Sequence, residues 1–369
     1  MSTIRWAASS CCPEPGATVR GADLAALCYA GAVRPLLQRH RPGLPHAAGR
    51  WGTGSDVLGL DDDVSRDHDW GLRLALLVAP EHVAAVDAAM AAELPAEVAG
   101  HPTRFATTGD PLARHRVEVS TVDDLVRSRL GLAAGRPWEA LDWLSLTGQA
   151  VLEVTAGAVL TDSTGELTRV RERLAWYPDD VWRHVVACDW VRLQQELPFV
   201  GRTAERGDDL GSRLIAARLA RVAVHLGFLL ERRWPPYARW SGTLFGRLPR
   251  AGAVGPLLFA AVRAERWPER AAALVAALED LLGVQRAAGL PAPARAAEPF
   301  HDRRYRGVAD EVVTRLRADV RDPQLRALPP GVGSVEQCVD NVDVLVAADR
   351  RGALLRAWRA PAHGVGPRP

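Results

Sequence analysis

Apolar and polar positions divide the chain into two regimes. From Trp51 the sequence reads WGTGSDVLGLDDDVSRDHDWGLRLALLV, a Gly-bearing turn, then an acidic loop, then an apolar run that ends at Pro80. That run predicts a strand. The segment EHVAAVDAAMAAEL (81–94) follows as a helix by its Ala and Leu content, and TRFATT and RHRVEVST read as two short strands. Ahead of this block a helix is expected from about Asp23 to Gln38, after a loose tail over residues 1–19. Beyond Thr121, Leu-, Ala- and Arg-rich stretches at helical spacing dominate, with helices expected near 180–198, 209–233, 269–288 and 308–321. AGAVLTDSTGELT (156–168) reads as a small hairpin or a loop. No internal repeat and no low-complexity linker is visible. The expected class is α+β: a tail and helix over 1–39, a small mixed-sheet domain over 40–121, and a mostly α-helical domain over 122–369. A ligand cleft is expected between the two domains.

Composition narrows the class without naming a function. A chain of 369 residues is long enough for two cores, and 48% apolar with 24% charged residues excludes extended disorder and fibrous classes. All 46 basic side chains are Arg, which favours planar pairing with carboxylates and phosphates, although a genomic bias accounts for the usage equally well. A formal charge of +2 gives no reason to expect a broad nucleic-acid surface. Cys11, Cys12, Cys28, Cys188 and Cys338 form an odd, scattered set without a C-x-x-C pair, which fits a reducing compartment. No basic-then-apolar leader opens the chain, and no run approaches the roughly 18 apolar residues of a membrane span. The expectation is a cytoplasmic protein with no membrane partner; its oligomeric state is open.

The candidate chemistry lies in the acidic loop. Asp67 and Asp69 flank His68 where the loop meets the expected strand, and residues two apart on a strand project from one face. Paired carboxylates suit Mg²⁺ or Mn²⁺, hard ions that prefer oxygen ligands and share them with substrate phosphates. An Asp-x-Asp alone is weak evidence, and Asp61 to Asp63 supplies a second such pair in the same loop. Gly54-Ser55 strengthens the case, because a Gly-bearing turn lets the backbone approach a phosphate and aim N–H groups at it. Glu118, alternating with Val117 and Val119 on a second strand, is the natural third carboxylate. Arg73 is read either as a phosphate partner or as an ion-pair partner of the acidic loop. His68 is read as packing, since it points away from the Asp pair on an ideal strand.

A Gly-Ser turn followed by S-x-D-x-D and a later strand acid resembles the polymerase-β-like nucleotidyltransferase superfamily, with Arg66 here separating Ser65 from the first Asp. More closely, GSDVLGLDDDVSRDHDWG resembles the signature of the bacterial family called domain of unknown function 4037. So do LEVTAGAVLTDSTGELTRVRERLAWYPDDVW, the segment from VGRTAERGDDLGSRL to ARWSGTLF, and GVGSVEQCVDNVDVL, so that the resemblance spans roughly residues 21–350. It implies a nucleotidyltransferase fold whose acceptor is unestablished. The implied reaction moves a nucleoside monophosphate from an NTP to an acceptor hydroxyl. Asp67, Asp69 and Glu118 would be the catalytic, metal-holding acids, and Gly54, Ser55, Ser65 and Arg73 the nucleotide contacts. The modest charge favours a small-molecule acceptor over RNA or protein. The rival reading is a non-catalytic nucleotide sensor or interaction protein on the same fold, against which the three acids count.

Three further groups carry double readings. Arg218 and His225 share a helix face in a spacing that resembles the Arg-x-His motif of the higher-eukaryote-and-prokaryote nucleotide-binding ribonucleases, or arise by chance in an Arg-rich helix. Asp208 or Asp209 caps the following helix or lines an acceptor pocket. Trp234 to Trp240 stack on a base or sugar, or belong to the core.

Overall fold

The computed structural model describes residues 19–66 and 69–359, with side chains described to residue 356. Asp67 and His68, Cys11 and Cys12, and almost all of the expected tail lie outside them. The chain forms two compact units, residues 1–122 with 156–169, and residues 123–155 with 170–369. The class is α+β, with one small mixed sheet and many helices.

The first unit is built on strands β1 (Ala47–Gly49), β2 (Leu74–Leu77), β3 (Val117–Ser120) and β4 (Val159–Asp162), in the spatial order β3-β2-β1-β4. β1 runs antiparallel to both β2 and β4, whereas β2 and β3 are parallel with Ala75 beside Glu118. All four residues of β2 are buried, which is why the strand reads as an unbroken apolar run rather than an alternation. Helices α1 (Gly21–Cys28) and α2 (Arg34–His40) are joined by a π-helical turn, Tyr29–Val33. Helix α3 (Pro80–Glu93) starts with proline in its first turn, where the missing N–H costs nothing. Leu24, Cys28, Leu36, Leu74, Leu76, Val86 and Met90 are buried, and most join one core between these helices and the sheet.

Three differences from the sequence expectation stand out. AGRW is too polar to read as a strand entry, yet Ala47 to Gly49 is a central strand whose following residue, Arg50, is buried in an ion pair. Val159–Asp162 pairs with β1, so residues 156–169 return to the first unit instead of joining the helical one. The α1–α2 segment also packs in the first unit, beyond the expected boundary at residue 40.

The second unit is helical. Its long members are α4 (Asp179–Glu196), α5 (Asp209–Leu230) and α6 (Trp267–Ala287), close to the expected spans, and α5 packs on both others. Asp208 caps α5 by accepting the Gly211 N–H at 2.7 Å. No helix among the described residues is long and apolar enough to cross a membrane. Cys28, Cys188 and Cys338 are free thiols, and burial pushes those of Cys28 and Cys188 up to about 12.

Candidate functional site

The Gly54 turn is held from beneath by a buried pair. Arg50 and Asp56 are 3% and 5% exposed, and Nε and Nη2 of the guanidinium reach the two carboxylate oxygens at 2.5 and 2.8 Å. The same guanidinium donates to the carbonyls of Trp51 and Thr53, at 2.6 and 2.7 Å. One planar cation thus fastens both ends of the segment from Trp51 to Asp56. Gly54 sits at the exposed tip with φ 133° and ψ 148°, a conformation open essentially to glycine alone. A Cβ there would strike Asp56 Oδ1 and lie 2.6 Å from Arg50 Nη2. Behind it, Ser55–Leu58 forms a 3₁₀ turn.

The expected nucleotide contacts gather at this turn. Ser55 Oγ donates to the Ser65 carbonyl at 3.3 Å, tying the turn to the acidic loop. Arg73, which immediately precedes β2, donates to the carbonyl and hydroxyl of Thr53 at 3.1 and 3.4 Å. Gly54, Ser55, Ser65 and Arg73 therefore occupy one neighbourhood. Ser65 itself is buried, and its N–H donates to Asp62 Oδ1 at 2.9 Å.

The acids separate by role. Asp61 is buried and accepts from the N–H of Gly21 at 2.8 Å and from Trp70 Nε1 at 3.4 Å, so it fastens the loop to the start of α1. The rival Asp61 to Asp63 pair is therefore split, since Asp63 is exposed. Asp69 does not lie on a strand: it sits in a bend five residues before β2 with φ 63°, and its Oδ1 accepts the Thr108 N–H at 2.6 Å. Glu118 is exposed on β3 while Val117 beside it is buried, matching the expected alternation. Asp67 is outside the described residues, and among those described no three His, Cys, Asp or Glu side chains group as a metal set. The expected donors are carboxylate oxygens only, a chemistry suited to Mg²⁺ or Mn²⁺.

A second polar centre lies wholly within the helical unit. His225 on α5 bonds Asp189 of α4 through Nδ1 at 2.6 Å, and its Nε2 stands 3.6 Å from Glu336. Asp189 is fully buried and also meets Arg192 at 3.1 Å. Burial alone would lower the imidazole, but Asp189 and then Glu336 outweigh it and push His225 up to about 10. Burial, Glu336 and Asp189 together hold the Tyr177 hydroxyl well above its ordinary range. Arg218 is exposed and pairs with Glu196, so the two members of the expected Arg-x-His motif engage different partners. Sequence reasoning missed this centre, yet the lone Asp in HVVACDWV, an otherwise apolar helical stretch, was its signal, because a buried carboxylate requires a partner. Trp234 is core, packed against Trp176 and Tyr177, whereas Tyr237 is half-buried and lines a cavity.

Comparison with known proteins bears on the helical unit first. Residues 143–241 match the family described as Domain of unknown function (DUF4037). The match lies downstream of the Gly54 turn and covers the segment carrying Asp189 and His225. No curated protein matches the chain. Among solved structures, a nucleotidyltransferase-like protein from Exiguobacterium sibiricum 255-15 is similar at 14% identity and a TM-score of 0.34, over 70% of this chain and 76% of that one.

Proposed function

We propose that the chain is a metal-dependent nucleotidyltransferase that moves a nucleoside monophosphate from an NTP to an acceptor hydroxyl, a small molecule before RNA or protein. The observation that carries this reading is the preformed Gly54 turn, locked by Arg50 and Asp56 and flanked by Ser55, Ser65 and Arg73. In it the backbone N–H groups at Gly54 and Ser55 hold the phosphates, with Arg73 adding a cation at the same edge. The acceptor oxygen forms a bond to the α-phosphorus while the bond from that phosphorus to the bridging oxygen breaks, and pyrophosphate leaves with that electron pair. The acceptor proton passes to solvent or to one of the site's carboxylates. Asp67, Asp69 and Glu118 are the acids that would hold Mg²⁺ or Mn²⁺, which when bound neutralises phosphate charge and stabilises the attacking and leaving oxygens.

The test is a screen of the four nucleoside triphosphates with Mg²⁺ or Mn²⁺ for pyrophosphate release, with cell extract as the source of acceptor. Release that depends on both extract and metal supports transfer. Tight NTP binding without release would replace the catalyst with a nucleotide sensor, and absence of binding by a folded protein would overturn both readings.

A further inference from the structure

The His225 centre borders a cavity of about 210 Å³ whose lining belongs entirely to the second unit. Drug-sized ligands occupy sites of roughly 300–1,000 Å³, so a smaller molecule is indicated. Pro235, Pro236 and Tyr237 supply an apolar part of the lining. Another part of the lining carries charge, and each charge there has a partner in the lining or in Asp189, which is fully buried outside it. Arg192 and His225 share Asp189, His225 also faces Glu336, and Arg221 meets Asp340 at 3.4 Å. Arg192, Arg221 and a protonated His225 thus stand against Glu336 and Asp340 in the lining and the buried Asp189 outside it. An anionic ligand would find no surplus cation, and a cationic one no surplus acid.

What remains is hydrogen-bonding capacity without net charge. Each guanidinium has five N–H donors and spends only part of them on its carboxylate partner. The Nε2 of His225, 3.6 Å from Glu336, is buried with no partner within hydrogen-bond distance among the described residues. Glu336 accepts from the Gly148 N–H at 3.0 Å, and a carboxylate has lone pairs to spare beyond one such bond. A hydroxyl both donates and accepts, so it can bridge a guanidinium and its carboxylate without breaking either charge pair. A ring bearing several hydroxyls would match its oxygens to these polar groups and its C–H face to Pro235, Pro236 and Tyr237.

We propose that this cavity binds a neutral, multiply hydroxylated ring of monosaccharide size, a sugar or a cyclitol, either free or as the terminal unit of a larger molecule. The site is independent of the proposed nucleotidyl transfer.

Titration calorimetry on the full chain tests it, with glucose, galactose, ribose and myo-inositol as free rings, methyl β-glucoside for a ring carried on a larger molecule, and inorganic phosphate as the anion. At least one hydroxylated probe should give a saturable one-to-one isotherm, and phosphate should give none. Arg221→Ala, at an exposed position, should weaken the bound probe at least tenfold with an unchanged melting curve. Arg326→Ala, at an exposed position outside the cavity lining, should leave binding as in the wild type. Should Arg221→Ala lower the melting point, Ser241→Val, which replaces a lining hydroxyl by an apolar group, makes the same test. The proposal falls if no hydroxylated probe saturates, if phosphate alone binds, or if binding is indifferent to these lining changes.

Discussion

Arg50 and Asp56 form a two-point ion pair beneath Gly54, almost wholly removed from water. The same cation also holds the Trp51 and Thr53 carbonyls, so its removal would strand one buried carboxylate and two backbone acceptors. Arg50→Met should therefore destabilise the first unit by about 3–5 kcal/mol, the usual cost of breaking a buried pair from one side. Replacing both partners, Arg50→Met with Asp56→Leu, should recover a substantial part of that loss because no uncompensated charge remains. Urea unfolding of the two variants checks this. A single variant that loses under about 1 kcal/mol would show that the pair does not organise the turn.

Gly54→Ala tests the turn without touching a charge. The tip conformation costs a residue with a Cβ about 1–3 kcal/mol, and the added methyl strikes Asp56 Oδ1. Nucleotide affinity should fall more than stability does, because the tip is where phosphate would sit. Gly109→Ala, where a Cβ meets open space and φ is not positive, should stay within about 0.5 kcal/mol of the wild type. Equal effects at the two positions would remove the special status of Gly54.

Legibility from the sequence follows the physics of each segment. The long helices Asp209–Leu230 and Trp267–Ala287 are readable because many turns of periodic apolar residues repeat one message. β2 is readable as a short apolar run between punctuating residues. β1 is not, since Ala47 to Gly49 gains its place from long-range pairing with β2 and with a strand more than a hundred residues later, not from local preference. The Gly54, Ser55, Ser65 and Arg73 neighbourhood is legible as spacing. Placing Asp69 on a strand extends the apolar run backwards past Leu74, whereas the chain is in a left-handed bend there, which Asp tolerates. The Asp189, His225 and Glu336 centre joins residues 36 and more positions apart, and only the isolated acid in an apolar helix announces it.

His225 makes stability depend on pH in a known direction. Its folded pKa is pushed up to about 10 from an ordinary value of 6.5, so the imidazolium contributes fully below about pH 6.5 and that contribution is lost as pH rises through about 10. The wild-type urea midpoint should accordingly fall between about pH 7 and about pH 10.5. In His225→Gln, which keeps a donor without the charge, that part of the decline should be absent, and the variant should be less stable than wild type at about pH 6. An identical pH profile in the two proteins would mean that His225 is not the titrating group.

Asp67→Asn with Asp69→Asn separates catalyst from sensor at the proposed transfer site. The exchange nearly keeps shape while removing both charges, and the amide oxygen it introduces at position 69 can still accept the Thr108 N–H that Asp69 accepts at 2.6 Å. Folding should survive, and apo stability should be unchanged or modestly higher, since neighbouring carboxylates repel when no cation lies between them. Turnover should drop by orders of magnitude, because positioning and charge stabilisation dominate phosphoryl-type transfer. Calorimetry should show NTP affinity in the wild type depending on Mg²⁺ and that dependence disappearing in the double variant. Arg218→Ala with His225→Ala, in the helical unit, should leave transfer largely intact once any loss of stability is discounted by assaying at a temperature where the variant is folded. If the double Asn protein retains wild-type pyrophosphate release, or if the Arg218 and His225 change alone abolishes it in a folded protein, the transfer chemistry does not reside at the Gly54 turn.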